Sequence, residues 1–262
     1  NEKAARKINA AMEEYLEKGI LAPLKPGFVL VDRTTARGAS LKGLMAALDL
    51  EKYDFHEGSK SLIRATEGTV IDRLPPRIKI RQDAPIESPH IMVLIDDPGR
   101  TVIEPLFGKN PPLIYDFDLM ENSGHIKGYM IDDPGMIRET AQALTALADS
   151  RMFREKYGVK DSDVLLYAVG DGNHSLATAK EIWEGLKSTA PDKNAVMNHP
   201  ARYALVELVN LHDEGLTFEP IDRVVWGCSI EDMLKAMDSY YSAQGSEFSV
   251  ERSSRDALTA IP

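Results

Sequence analysis

Apolar residues recur along the chain at helical spacing in some stretches and as short β-rich runs in others, a pattern that predicts mixed helices and strands. Between residues 2 and 18, Ile8, Met12, Tyr15 and Leu16 fall on one helical face, and Gly19 stands where a helix commonly closes. Residues 28–31 read as a short strand, and residues 41–48, rich in good helix formers, as a helix. Residues 90–95 are an unbroken apolar run stopped by Asp96-Asp97-Pro98-Gly99, the pattern of a strand buried on both faces. Residues 113–118 and 126–131 flank Glu121-Asn122-Ser123-Gly124, which predicts an antiparallel hairpin and therefore a mixed sheet. Asp133 and Pro134 open a helix with Ile137, Ala141, Leu144 and Leu147 on one face, continuing to Gly158. A buried strand over 164–169 and a helix over 176–186 make half of a strand-helix-strand unit. Residues 204–211 and 224–226 add strands, and 233–241 a last helix.

This order predicts an α/β fold, a mixed sheet with flanking helices, as one domain over residues 1–262, with a subdivision near 133–160 as the alternative. A length of 262 residues with 43% hydrophobic content supports a sizeable core. The sequence opens at Asn1 without a methionine and stops at Ile261-Pro262, which reads as a fragment of a longer chain. Its one cysteine, Cys228, excludes an internal disulfide and a cysteine-based metal cluster, so a reducing compartment is expected. No run approaches the roughly 18 to 20 apolar residues of a membrane span, and the start is a charged amphipathic helix, so a cytoplasmic protein is expected. A formal charge of -10 with scattered basic residues disfavours nucleic acid as a partner. A small anion is compatible with that charge, because a few amides and cations in one pocket act at short range.

The candidate chemistry lies at Gly170-Asp171-Gly172-Asn173-His174-Ser175, where a strand hands over to a helix. Amides at the front of a helix lack partners and the helix dipole adds positive potential, so phosphates can lie there. Gly170 and Gly172 allow a sharp turn and close approach of a ligand, Asn173, His174 and Ser175 supply donors, and Asp171 can hold magnesium or accept a proton. The structural alternative is that Asn173 or Ser175 caps the helix, Asp171 closes the turn, and the glycines serve backbone geometry. Neither the lysine of a Walker loop nor the third glycine of the dinucleotide fingerprint is present.

The segment from Tyr167 to Ala179 resembles the Ala-Asp-Gly-His-His-Arg turn of domain-of-unknown-function family 1015. Ile63-Arg64-Ala65-Thr66-Glu67-Gly68-Thr69, followed by Asp72-Arg73, resembles that family's His-Glu-x-Thr segment and later Asp-Arg pair, and Asp213-Glu214-Gly215-Leu216 with Pro220 and Arg223 resembles its C-terminal stretch. The likeness spans roughly residues 50–226. It implies a ParB/sulfiredoxin-like nucleotide-binding core, a fold in which such turns bind nucleotide phosphates and free serine kinases occur. Three departures stand out: Asn173 replaces a histidine, Ser175 replaces an arginine, and Asp222 stands where a histidine usually precedes Arg223. Losing the arginine removes a bidentate phosphate clamp, a charge that Arg64, Arg73 or Arg223 is then expected to supply.

Two functions follow from these residues. In the first, a small-molecule kinase, ATP or ADP with magnesium sits on the amides of residues 172–175, with the metal bridged to Asp171. Glu67, with Asp171 and His174 as the further catalytic candidates, deprotonates a hydroxyl of a small metabolite. In the second, a non-catalytic nucleotide-binding regulatory module, the same turn works without Glu67. Outside this site, Glu67 as an exposed or ion-paired residue and Asp72-Arg73 as a structural ion pair are the plainer readings. His56, His90, His125, His199 and His212 show no metal-ligand spacing, Trp183 and Trp226 suit core or groove positions, and the acidic pairs before proline or glycine suit turns and helix caps.

Overall fold

Among the described residues the aliphatic and β-branched runs pair into one mixed sheet of eight strands: β1 Phe28–Thr35, β2 Ser40–Asp49, β3 Ile63–Ala65, β4 Met92–Ile95, β5 Leu113–Asp118, β6 Gly124–Ile131, β7 Tyr167–Asp171 and β8 Tyr203–Asn210. Their order is β3-β7-β4-β8-β2-β1-β6-β5. The helices are α1 Glu2–Glu17, α2 Leu74–Arg81, α3 Glu104–Phe107, α4 Pro134–Leu147, α5 Ser150–Tyr157, α6 Asn173–Thr189 and α7 Ile230–Ala243. This computed structural model describes residues 2–35, 38–88, 90–160, 163–217 and 224–250. The chain divides into two units, Asn1–Thr217 and Phe218–Pro262. The first holds the whole sheet and α1 to α6; the second holds α7, whose N-cap Ser229 Oγ accepts the Asp232 amide at 3.0 Å.

One face of the sheet builds the core. Leu30, Leu44, Val93, Ile95, Val206 and Leu208 project from it, and α6 adds Leu176, Ala177 and the fully buried Trp183. The Trp183 indole nitrogen donates to Glu51, so its polar end is satisfied inside the apolar layer. Among the described residues no helix is long and apolar enough to cross a membrane. Cys228 is a free, exposed thiol.

Five sequence expectations change. Residues 41–48 form β2 rather than a helix, because pairing with β1 on one side and β8 on the other outweighs helix propensity. The long helix after Pro134 is two helices, since Asp149 leaves helical geometry and caps α5 by accepting the amides of Arg151 at 2.9 Å and Met152 at 2.8 Å. Residues 224–226 form no strand and are exposed. In β4, Val93 and Ile95 are buried while Met92 and Leu94 are only half-buried, so one face alone is sealed. The unit β7-α6-β8 is also not a parallel crossover, because β4 lies between the two strands, antiparallel to β7 and parallel to β8.

Candidate functional site

The turn between β7 and α6 is built by its backbone first. Gly172 adopts φ of +82°, a left-handed conformation, and a Cβ there would stand 3.0 Å from Ile91 Cα and 3.1 Å from the His90 carbonyl oxygen. Glycine is thus required at this position by the chain itself. Asp171 Oδ1 accepts the Gly172 amide at 2.6 Å, closing the turn, and the Leu176 amide reaches the Gly172 carbonyl at 2.9 Å to open α6. Among the described residues no acceptor takes the amides of Asn173, His174 or Ser175. Three donors at the positive end of a seventeen-residue helix are therefore free for an anion.

Two side chains of this turn bind the segment after β3. Asn173, buried to 3% exposure, accepts the Thr66 amide at 3.2 Å and donates to the Thr66 hydroxyl at 3.3 Å and to the Val169 carbonyl at 3.2 Å. It therefore does not cap the helix. His174 Nε2 accepts the Val70 amide at 3.2 Å, which requires that nitrogen to be unprotonated and leaves the hydrogen of the neutral ring on Nδ1. That Nδ1 lies 3.6 Å from Glu67 Oε1. The parallel pairing of β3 with β7 makes this meeting possible, since it brings the ends of both strands to one edge of the sheet.

The remaining predicted residues are spread around this turn. Arg64 donates from Nε to the Ser61 carbonyl at 2.8 Å and from Nη2 to the carbonyls of Asp163 at 2.7 Å and Val164 at 3.0 Å, so much of its guanidinium serves the backbone. It shares with Glu67, Asp54, His56, Ser59 and Thr69 a cleft of about 630 Å³. Arg73 is exposed, and no ion pair joins it to Asp72. Gly170 is exposed, and a Cβ added there would stand 3.0 Å from the Leu94 side chain. Asp222 and Arg223 lie outside the described residues.

Ser175 faces a different cleft, of about 280 Å³, whose walls include Arg77, Arg81 and Thr178. Neither arginine was singled out from the sequence, although their spacing of four on α2 places them on one helical face. Burial brings the Arg81 pKa down to about 10, and its charge is met by Glu87. Arg77 instead donates to the Arg73 carbonyl at 2.9 Å and has no carboxylate partner among the described residues.

The donor set for magnesium is one carboxylate. Asp171 is exposed and only its Oδ1 is engaged, by the Gly172 amide. Among the described residues no three or more histidine, cysteine, aspartate or glutamate side chains gather as a metal cage. One carboxylate fits a magnesium ion that arrives on nucleotide phosphates, since such ions keep waters and use one or two protein ligands.

Neither the curated proteins nor the solved structures searched gave a match to this chain. The family model described as "Protein of unknown function (DUF1015)" matches residues 1–259, and the chain belongs to that family.

Proposed function

We propose that this chain is a nucleotide-dependent kinase of a small hydroxyl-bearing metabolite, comparable to free serine kinases and built on a ParB/sulfiredoxin-like nucleotide-binding core. The observation that carries the reading is the convergence of Glu67 on His174, 3.6 Å apart, beside the three amides at the start of α6 that have no acceptor among the described residues. A carboxylate delivered from a separate strand to an anion-receptive helix end supplies the two parts that phosphoryl transfer to a hydroxyl needs.

In this reading the amides of Asn173, His174 and Ser175 hold the phosphates of ATP or ADP, and Arg77 adds positive charge from the cleft that Ser175 lines. Glu67 takes the proton of the acceptor hydroxyl as its oxygen attacks the terminal phosphorus, and the bridging P–O bond breaks with its electron pair leaving on the nucleotide. His174 acts as a positioning residue, because Nε2 is occupied by the Val70 amide while Nδ1–H faces Glu67. A magnesium ion bound to the phosphates and Asp171 would neutralise charge developing in the transfer.

One observation favours the second reading, a non-catalytic nucleotide-binding regulatory module. Asp171 and Gly172 are already explained by turn closure and by left-handed geometry, without any reaction. Nucleotide consumption measured against a panel of hydroxyl-bearing amino acids and sugars separates the two. Turnover that depends on Glu67 supports the kinase; nucleotide binding with no turnover on any acceptor supports the module.

A further inference from the structure

Two clefts border the turn, one through Ser175 and the other through Glu67 beside His174, and they differ in charge. Among the described residues the Glu67 cleft sets three carboxylates, of Asp54, Glu57 and Glu67, against the one guanidinium of Arg64. The carbonyls of Ser61, Asp163 and Val164 already engage that guanidinium. A nucleotide carries several negative charges on its phosphates, so a wall of acids disfavours its entry at close range.

The Ser175 cleft has the opposite balance. Arg77, Ile80 and Arg81 recur at spacings of three and four along α2, which puts them on one helical face. Glu87 meets the charge of Arg81, whereas Arg77 has no carboxylate partner among the described residues and supplies a net positive charge. The rest of this wall is largely apolar. Ile80 is 40% exposed, Ala84 and Ile86 follow α2 and are half-buried, and Met12 comes from α1, which packs against α2. These side chains border about 280 Å³ that is open to water, and a flat ring lying there would take their surface out of it. Ser175 joins this cleft to the turn, because its amide is one of the three at the start of α6 without an acceptor among the described residues.

We infer that the Ser175 cleft is the nucleobase pocket, taking the ring of the nucleotide whose phosphates lie on the amides of Asn173, His174 and Ser175. The inference rests on the proposed function and deepens it, since it assigns one cleft to each substrate. Met12, Ile80 and Ile86 form the apolar wall against the base, Arg77 stands on the phosphate side, and the Glu67 cleft is left to the acceptor. The first helix of the chain, which carries no residue of the turn, thereby becomes part of the nucleotide site through Met12.

The test titrates the full chain, with magnesium, against ADP and against pyrophosphate, which has the phosphates without the base. ADP should bind with a Kd at least tenfold below that of pyrophosphate. Ala84→Phe, which fills the cleft, should raise the ADP Kd at least tenfold and the pyrophosphate Kd less than twofold; an unchanged ADP Kd overturns the inference. Methyl spectra of the wild type give an arm that needs no variant. The methyl signals of Met12, Ile80 and Ile86 should shift with ADP and stay in place with pyrophosphate, while both ligands shift the amides of Asn173, His174 and Ser175. ADP that moves those amides and leaves the three methyls still overturns the base pocket and leaves nucleotide binding at the turn standing. ADP that leaves the amides still overturns both.

Discussion

Asn173 and Thr66 exchange two hydrogen bonds, the Thr66 amide to Asn173 Oδ1 at 3.2 Å and Asn173 Nδ2 to the Thr66 hydroxyl at 3.3 Å, so the first residue of α6 holds the end of β3 in place. Glu67 follows Thr66 directly, and its position beside His174 depends on this clamp. Asn173→Ala should cost about 1–3 kcal/mol, the usual penalty for leaving buried polar groups unpaired. Urea denaturation measures it, and a change below a few tenths of a kcal/mol would show that the clamp does not hold the segment.

Gly172 should tolerate no side chain. Left-handed φ and the 3.0 Å approach to Ile91 Cα together predict that Gly172→Ala destabilises by about 1–3 kcal/mol, before any ligand is considered. Thermal unfolding of the ligand-free protein checks this. A variant as stable as wild type would return the glycine to a purely ligand-binding role.

Glu67 and Asp171 should give separable defects. Glu67→Gln keeps the size of the side chain and removes the proton acceptor, so turnover should fall about a hundredfold with nucleotide affinity little changed. Asp171→Asn should weaken the nucleotide complex, with partial recovery at raised magnesium. Kinetics across a magnesium series distinguishes them, and two variants with the same profile would remove the division of roles.

Asp96 should set part of the acid limb of stability. Burial opposes its ionisation, but hydrogen bonds from Lys156, Tyr157 and His212 outweigh that effect and hold its pKa at about 2, against an ordinary aspartate value of 3.8. A depressed carboxylate pKa stabilises the fold above the unfolded value, and the contribution is lost as pH falls from about 4 to about 2. With a side chain 24% exposed, the partly screened contribution is about 1–2 kcal/mol. Asp96→Asn should therefore flatten the stability curve in that window, and parallel curves for the two proteins would contradict the assignment.

Much of this fold was legible because its signals are local. The hairpin of β5 and β6 follows from turn residues between two apolar runs, and Asp133 caps α4 by accepting the Met136 amide at 2.8 Å, as a residue before proline suggests. Asp97 behaves similarly, taking the Thr101 and Val102 amides. What was hidden depends on partners distant in sequence. Residues 41–48 look helical alone and become β2 only between β1 and β8. The site divides along the same line: Gly172 and Asp171 announce a turn, whereas the hydrogen bonds that tie Asn173 to Thr66 span 107 positions and leave no spacing to recognise.

Occupancy of the start of α6 by an anion is the central requirement of nucleotide binding at this turn. Backbone nitrogen-15 and proton shifts recorded while ADP and magnesium are titrated into the full chain report on the amides of Gly172, Asn173, His174 and Ser175 individually. Saturable shifts centred on those amides, with smaller ones at Glu67 and Val70, are the predicted result; amides that stay still at saturating nucleotide, or shifts confined to another part of the chain, would contradict it.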